Sequence, residues 1–164
     1  PNILLIRHTK DDKQIKTNKM KKLIIMLAIA ISTVNAFAWE VTVNQKVLDA
    51  FKTEFSTATD VQWSVGANYY MATFNYNEKY VFAYFSEDGE LFGITRHITQ
   101  GNLPMNLQSN LKKNYDDYWV TDLVEVSKSD GTYYYITLEN ADTQLVLKSS
   151  GGSTWSVNNK VRKS

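Results

Sequence analysis

Cysteine is absent from the 164-residue sequence, and proline occurs only twice. Without cysteine the chain has no disulfide framework, no thiolate metal site, no thiol redox motif and no site for a lipid anchor on cysteine. His97 is the only histidine after residue 38. Glycine loops that hold phosphates, Gly-x-Ser-x-Gly and His-Glu-x-x-His are also missing, so the usual sequence motifs of nucleotide-binding proteins, serine hydrolases and zinc peptidases are not present.

A hydrophobic run long enough to span a bilayer is missing too. The apolar stretch at 23–31 is far shorter than the roughly 20 residues that a transmembrane helix needs. Lys21 and Lys22 precede it and Ala36-Phe37-Ala38 follows it, which is the arrangement of a secretory signal peptide over 20–38 with cleavage after Ala38. We therefore expect 1–19 to be upstream translation outside the fold and 39–164 to be a single domain.

Basic residues do not dominate the chain once this leader is set aside. Residues 39–164 contain 11 Lys and Arg against 15 Asp and Glu, a net charge of −4. A nucleic-acid-binding protein needs a basic surface, so this charge argues against such a partner. The expected location is the periplasm or the medium, with no stable membrane insertion after cleavage. We expect no cofactor, and the oligomeric state stays open.

Hydrophobic spacing in 39–164 changes twice between helix and strand. Val47, Phe51 and Phe55 follow one helical face after a capping Asn44, and a second helical pattern follows Pro104. Alternating patterns typical of strands run from Val61 to about 98 and again to about 157. The order helix, four strands, helix, four strands predicts an internal repeat over about 41–100 and 101–158. The last residues, "VNNKVRKS", are polar and basic, which favours a frayed tail.

Turn chemistry predicts which strand residues share a face. Two-residue turns at Gly66-Ala67, Asn77-Glu78 and Asp88-Gly89, and a three-residue loop at 129–131, fix the registers. The predicted core set is Val61, Trp63, Tyr70, Ala72, Phe74, Val81, Ala83, Phe85, Phe92, Ile94, Val124, Val126, Tyr134, Ile136, Leu138, Leu145 and Leu147. The opposite set is Gln62, Tyr69, Met71, Thr73, Tyr80, Phe82, Tyr84, Thr95, His97, Tyr133, Tyr135, Thr137, Gln144 and Val146.

This opposite face is predicted to be exposed and rich in tyrosine. A contiguous apolar patch of a few hundred Å² is uncommon on a monomer unless it serves an interaction. The predicted binding residues are Tyr69, Met71, Tyr80, Phe82, Tyr84, Tyr133 and Tyr135. A dimer partner, the chain's own tail or no ligand at all are the alternatives for this face, because aromatic residues also favour strands through cross-strand packing.

Catalysis has little support in the sequence. His97 is predicted to be a polar residue near a strand end, since histidine chemistry needs an oriented partner. Asp116 with Asp117 and the acidic loop at 87–90 lie at junctions where carboxylates are ordinarily solvated. That loop also lacks the ligand spacing of an EF-hand, so neither catalytic residues nor a metal site is expected.

Several short segments together carry a resemblance to a known family. In order they are "VLDAFKTEF", "VQW", "YYMATF", "VFAYFSEDGEL", "ITRHI", "LP" and "KKNY". The chain is similar through them to small exported PepSY-like proteins of Bacteroidetes, related in outline to beta-lactamase-inhibitor domains. It departs at Ser56, where members often have proline.

The resemblance implies an α+β fold, a tandem repeat of helix plus four-stranded antiparallel sheet with both helices packed on one sheet face. Whether the two repeats share a continuous sheet stays open at this point. The resemblance also implies a role in binding or inhibiting proteins, with no catalytic residues to transfer. We therefore expect an exported, non-enzymatic module that binds a protein or peptide, and the alternative is a periplasmic carrier of a small ligand or envelope component.

Overall fold

The computed structural model describes residues 42–163. The predicted signal peptide and the segment 1–19 lie outside the described residues. Along the chain the elements are α1 (Gln45–Glu54), β1 (Thr59–Gly66), β2 (Tyr69–Tyr76), β3 (Lys79–Phe85), β4 (Leu91–His97), a 3₁₀ helix (Gln100–Asn102), α2 (Met105–Asn114), β5 (Trp119–Lys128), β6 (Gly131–Glu139), β7 (Thr143–Ser150) and β8 (Ser156–Arg162).

All eight strands form one antiparallel sheet in chain order. Its two halves join where β4 pairs with β5, from Ile94 opposite Ser127 to His97 opposite Val124. The predicted fold class, a tandem repeat of helix plus four-stranded sheet, is therefore wrong: the described chain is one continuous eight-stranded sheet with two short α-helices. Two separate four-stranded sheets would each leave a row of unpaired backbone groups on β4 or β5, and this pairing satisfies them. The internal repeat itself stays a prediction.

The first helix is fixed by its cap and by its apolar face. Asn44 accepts a hydrogen bond from the Lys46 N–H at 3.0 Å, which satisfies one free donor of the first turn. Val47 and Phe51 are buried against sheet residues that include Phe74, whose ring centroid lies 4.9 Å from that of Phe51. This cluster anchors α1 to one face of β1–β4, which we call the helix-bearing face.

The second helix packs on the same sheet face through leucines. Leu107 and Leu111 contact a cluster that includes Leu123 of β5 and Ile136 of β6. Trp155, just before β8, donates its Nε1 hydrogen to the Leu107 carbonyl oxygen at 3.1 Å. The last strand is thereby tied to α2 as well as to β7.

The hairpin between β2 and β3 has the predicted register. Asn77 and Glu78 form its turn with φ of 49° and 61°, so Phe74 lies opposite Val81 and Ala72 opposite Ala83. The β1–β2 turn is Ala67-Asn68, one residue later than predicted, and Trp63 therefore lies opposite Ala72 instead of Tyr70. A shift of two positions in the pairing leaves Trp63 on the predicted face.

In β1–β4 two residues of the predicted core, Val61 and Phe92, lie outside the cluster beneath α1. Val61 is 37% exposed on the edge strand β1, beside an irregular pairing between Thr59 and Gln62. Phe85 lies opposite Leu91 and not Phe92, because the pairing shifts by one residue after Tyr84. The β3–β4 connection is longer than the predicted two residues, with Ser86 N–H bonded to the Glu90 carbonyl, and Leu91 takes the core position.

Strand β5 presents the opposite face from the one predicted. Its hairpin to β6 has a two-residue turn, since Lys128 lies opposite Gly131, and not the three-residue loop that the sequence predicted. One residue of difference exchanges the faces of β5. Leu123 therefore packs against α2, while Val124 and Val126 lie opposite Tyr135 and Tyr133 on the other side of the sheet. The prediction that Val124 and Val126 belong to the core beneath the helices is wrong.

The C-terminal segment is a strand and not a frayed tail. Residues of β8 pair with β7 from Ser156 to Arg162, although their side chains are exposed. Backbone pairing needs no apolar side chains, so the polar composition of this segment did not reveal it.

Candidate functional site

The sheet face opposite the helices, called the aromatic face from here on, holds all the predicted binding residues. Cross-strand pairing aligns Met71 with Tyr84 and Thr73 with Phe82, while Asn75 lies opposite Tyr80. The seven predicted residues come from three strands: Tyr69 and Met71 from β2, Tyr80, Phe82 and Tyr84 from β3, and Tyr133 and Tyr135 from β6.

The sequence placed Thr95 on this face, but it missed Val124 and Val126, which help to join these two groups across the face. Thr95 of β4 lies opposite both Phe82 and Val126, and Val124 lies opposite Tyr135. These pairings make a continuous row from β2 to β6. A two-residue turn at Ser129-Asp130 puts Val124 and Val126 on the aromatic face, so the length of this turn is the sequence signal that could have found them.

Exposure on the aromatic face is lower than predicted. Tyr80 is 57% exposed, and Tyr69, Met71 and Tyr133 are half-buried. Phe82, Tyr84 and Tyr135 are buried, so the prediction that this face is exposed is wrong for these three side chains. Large side chains on one sheet face pack on each other: the ring centroids of Tyr80 and Phe82 are 5.3 Å apart, and those of Tyr69 and Tyr84 are 6.0 Å apart.

Two buried hydroxyl groups lie at the centre of the aromatic face. Neither the Tyr84 hydroxyl nor Thr95 Oγ1 makes a hydrogen bond within the part of the chain that the structure describes. Burial raises the pKa of Tyr84 to about 12, and the nearby Thr95 hydroxyl opposes that shift. A buried polar group without a partner is costly, but both oxygens are out of contact with solvent, so only a ligand that opens the packing of this face could bind them.

Lysines flank the aromatic face on its β6–β7 side. Lys148 Nζ lies 4.9 Å from the ring centroid of Tyr133 and 5.7 Å from that of Tyr135. Lys128 Nζ lies 5.3 Å from the Tyr133 ring. Ammonium groups over tyrosine rings are stabilised by the ring quadrupole, so both lysines are held at the Tyr133 end of the face.

His97 lies at the end of β4, as predicted, and it has an oriented partner that the sequence did not reveal. Its Nδ1 lies 3.0 Å from Asp122 Oδ1, and its ring packs edge-on to Phe82 with the centroids 6.0 Å apart. The pair is solvent-accessible at the end of β4. Among residues 42–163 no serine or threonine hydroxyl makes a hydrogen bond with His97.

The predicted acidic clusters have structural contacts or lie in solvent. Asp88 pairs with Lys46 at 3.2 Å, and Ser86 Oγ accepts hydrogen bonds from the backbone N–H groups of Asp88 and Glu90. Asp116 and Asp117 are exposed in the turn after α2. Among the described residues no group of three or more histidines and carboxylates could hold a metal ion.

Neither helix in this part of the chain has the length and apolar character needed to cross a bilayer.

Comparison with known proteins identifies the fold. No family model and no curated protein sequence matches the chain. A BLIP-like protein from Bacteroides fragilis is similar in structure, with a TM-score of 0.67 and 20% identity, covering 76% of this chain and 90% of that one. A candidate periplasmic protein from Bacteroides eggerthii gives a TM-score of 0.64 and 18% identity, covering 74% and 90%. A DUF2874 family protein from Bacteroides uniformis gives 0.65 and 17%, with the same coverage.

These neighbours confirm at the level of the fold the predicted resemblance to beta-lactamase-inhibitor-like proteins of Bacteroidetes. The chain has the fold of BLIP-like and DUF2874 family proteins of Bacteroides. The PepSY-like part of the resemblance stays a prediction. The neighbour from Bacteroides eggerthii agrees with the predicted periplasmic or secreted location.

Proposed function

We propose that residues 39–164 form an exported, non-enzymatic binding module that holds a protein or peptide against the aromatic face. One observation carries the proposal: a single sheet face gathers tyrosine, phenylalanine and methionine side chains from β2, β3 and β6, while both described helices pack on the other face. Tyrosine, phenylalanine and methionine are enriched in the centres of protein interfaces.

Tyr80 is the best-placed anchor for a partner. Its side chain is the most exposed of the seven predicted residues, and it rests edge-on against the buried Phe82. A rigid aromatic side chain loses little conformational entropy on binding and buries a large area. Half-buried Tyr69, Met71 and Tyr133 extend the same surface on both sides.

The charged residues around this face suggest how a partner is oriented. Lys128 and Lys148 lie beside Tyr133, and the His97–Asp122 pair lies at the end of β4. Charges at the rim of an interface chiefly set orientation and association rate. Inhibition of a hydrolase by covering its active site is the finer form of the proposal, and the likeness to a BLIP-like protein favours it.

A second candidate is a carrier that holds a small ligand on the same face. The buried, unpaired hydroxyls of Tyr84 and Thr95 favour it, because a ligand with a polar group could satisfy both. This candidate needs the ligand to reach the centre of the face. The protein-binding candidate requires only that a partner contacts Tyr80 and the half-buried side chains of the same face.

The experiment uses the domain 39–164 as bait in an extract of the native envelope, followed by an affinity measurement with the purified retained protein. Tyr80→Ser is expected to weaken binding at least tenfold, since an aromatic anchor commonly contributes about 2 kcal/mol or more. Met105→Ser is the matched control, because Met105 is an exposed large side chain, 80% accessible, at the start of α2. Equal affinities for the wild type and Tyr80→Ser, or equal losses in the two variants, would refute binding through the aromatic face.

A further inference from the structure

A cavity of about 290 Å³ lies on the helix-bearing face where the two halves of the sheet meet. It is bordered by β4 and β5 and by the end of α1. Apolar walls come from Phe55, Tyr76, Val81 and Ile94. Its volume is close to the lower limit of about 300 Å³ for small-molecule sites.

An ion pair with unused hydrogen-bond donors lies in the cavity wall. Arg96 Nε donates to Glu125 Oε1 at 2.7 Å, and the side chains are only 27% and 14% exposed. Among the described residues the Arg96 guanidinium donates no other hydrogen bond. A guanidinium carries five N–H donors, so its terminal Nη groups keep their capacity to bind an acceptor.

The charges lining this cavity do not cancel. Arg96 and Lys79 are cations, and among the described residues Glu125 is the only anion in the lining. The hydrogen bond to Glu125 raises the pKa of Arg96, which keeps the guanidinium charged. One further negative charge would neutralise the site, and the apolar side chains would remain around the rest of the ligand.

We propose that this cavity binds an apolar carboxylate, that is, a carboxylate joined to a small branched or aromatic group. The carboxylate would accept two N–H groups from the Arg96 side chain, the planar bidentate contact that guanidinium favours. The apolar group would lie among Phe55, Val81 and Ile94. This site lies on the opposite side of the sheet from the aromatic face, so it does not depend on the function proposed above.

An apolar carboxylate can come from two sources, and both would present the same chemical group to the cavity. One is a free carboxylic acid, and the other is a peptide chain that ends in an apolar residue with a free carboxyl group. The probes are therefore 3-phenylpropionate and the peptide Gly-Gly-Phe, each compared with its own carboxamide. Every carboxamide keeps the shape of its acid and removes the charge.

The test is an NMR titration of ¹⁵N-labelled domain 39–164, in which the backbone amides of Val81, Ile94 and Ser127 report on the cavity. Saturable shifts at these amides are expected with at least one of the two acids, at concentrations up to about 20 mM, which suits a ligand of this size. The corresponding carboxamide is expected to bind at least tenfold more weakly. The acid that binds identifies the source.

Variants of Arg96 and Ser127 distinguish binding in the cavity from a general effect of positive charge on the probes. Arg96→Lys keeps the positive charge beside Glu125 but removes the planar donor pair, and it is expected to weaken acid binding about tenfold. Arg162→Lys, the same change on the exposed strand β8, is expected to leave binding unchanged. Ser127→Phe is expected to fill the cavity and abolish binding.

The proposal is overturned by equal affinities for an acid and its carboxamide, by full affinity in Arg96→Lys, by shifts centred on the aromatic face, or by the lack of saturable shifts with both acids.

Discussion

Gly89 in the β3–β4 connection lies directly against the backbone carbonyl of Lys46 in α1. A Cβ atom at Gly89 would be 2.8 Å from that oxygen and 3.3 Å from the Ala50 Cβ. Adjacent contacts join the same two segments, since Asn44 Nδ2 donates to the Glu87 carbonyl at 3.2 Å. The Asp88-Gly89 turn therefore holds the first turn of α1 as well as reversing the chain.

Replacing Gly89 by alanine tests this contact. With φ at +85°, alanine would be strained there, and its Cβ would force α1 away from the turn, so Gly89→Ala is expected to lower the free energy of unfolding by about 2–3 kcal/mol. Gly151 is the matched control because its φ is +79° and nothing lies near its Cβ position. Gly151→Ala is expected to cost about 1 kcal/mol, the backbone term alone. Equal losses in urea unfolding would show that the turn does not contact α1.

Engineered disulfides test the register of β5, and the lack of native cysteine makes the result clear. Ser127 lies opposite Thr132 across the β5–β6 hairpin, at a distance that a disulfide can span. Ser127→Cys with Thr132→Cys is expected to oxidise readily to an intrachain disulfide. Lys128→Cys with Thr132→Cys is the control, since these residues point to opposite faces in this register. The three-residue loop predicted from the sequence would place Lys128 opposite Thr132, and preferential oxidation of the control pair would restore that register.

Titration of buried tyrosine predicts a loss of stability at high pH. Burial raises the pKa of Tyr84 from 10.0 to about 12, so above pH 10 the unfolded chain releases this proton while the folded chain keeps it. The free energy of unfolding should therefore fall between pH 10 and 12, by about 1.4 kcal/mol per pH unit for this residue. Burial raises the pKa of Tyr135 to about 12 as well, and its contribution has the same sign.

Tyr84→Phe isolates one of these contributions. Urea unfolding at pH 9, 10 and 11 is expected to show a smaller loss of stability in the variant than in the wild type. Below pH 10 the variant should be as stable as the wild type or more so, because phenylalanine removes a buried hydroxyl that has no partner. A parallel decline in both proteins would mean that Tyr84 titrates normally.

Phe74 is expected to be a principal residue of the core beneath α1. It is fully buried, and its ring packs against Phe51 and Phe55 with centroid distances of 4.9 and 4.8 Å. Phe74→Ala should cost about 3–5 kcal/mol in chemical unfolding. Trp63 also belongs to the predicted core, but it is only half-buried, so Trp63→Ala should cost less than Phe74→Ala. The reverse order would contradict the observed packing of β2.

Local features of the chain determined the helices and one hairpin. Val47 and Phe51 recur at helical spacing after a capping residue, and Asn77-Glu78 adopts the left-handed backbone of a two-residue turn. These features depend on interactions between residues close in sequence, which is why they could be predicted. The same turn and the alternation of β2 and β3 placed Tyr69, Met71, Tyr80, Phe82 and Tyr84 on one face.

Only the tertiary structure decided how the two halves meet. The pairing of Ile94 with Ser127 makes one sheet of eight strands, and nothing local to either residue encodes this partner. One residue in the length of the β5–β6 turn moved Val124 and Val126 to the aromatic face, and the separate pairing of β4 with β5 brought Glu125 opposite Arg96. A strand alternates with a period of two, so a small error in a turn exchanges its faces, and distant pairing is needed to fix which face is buried.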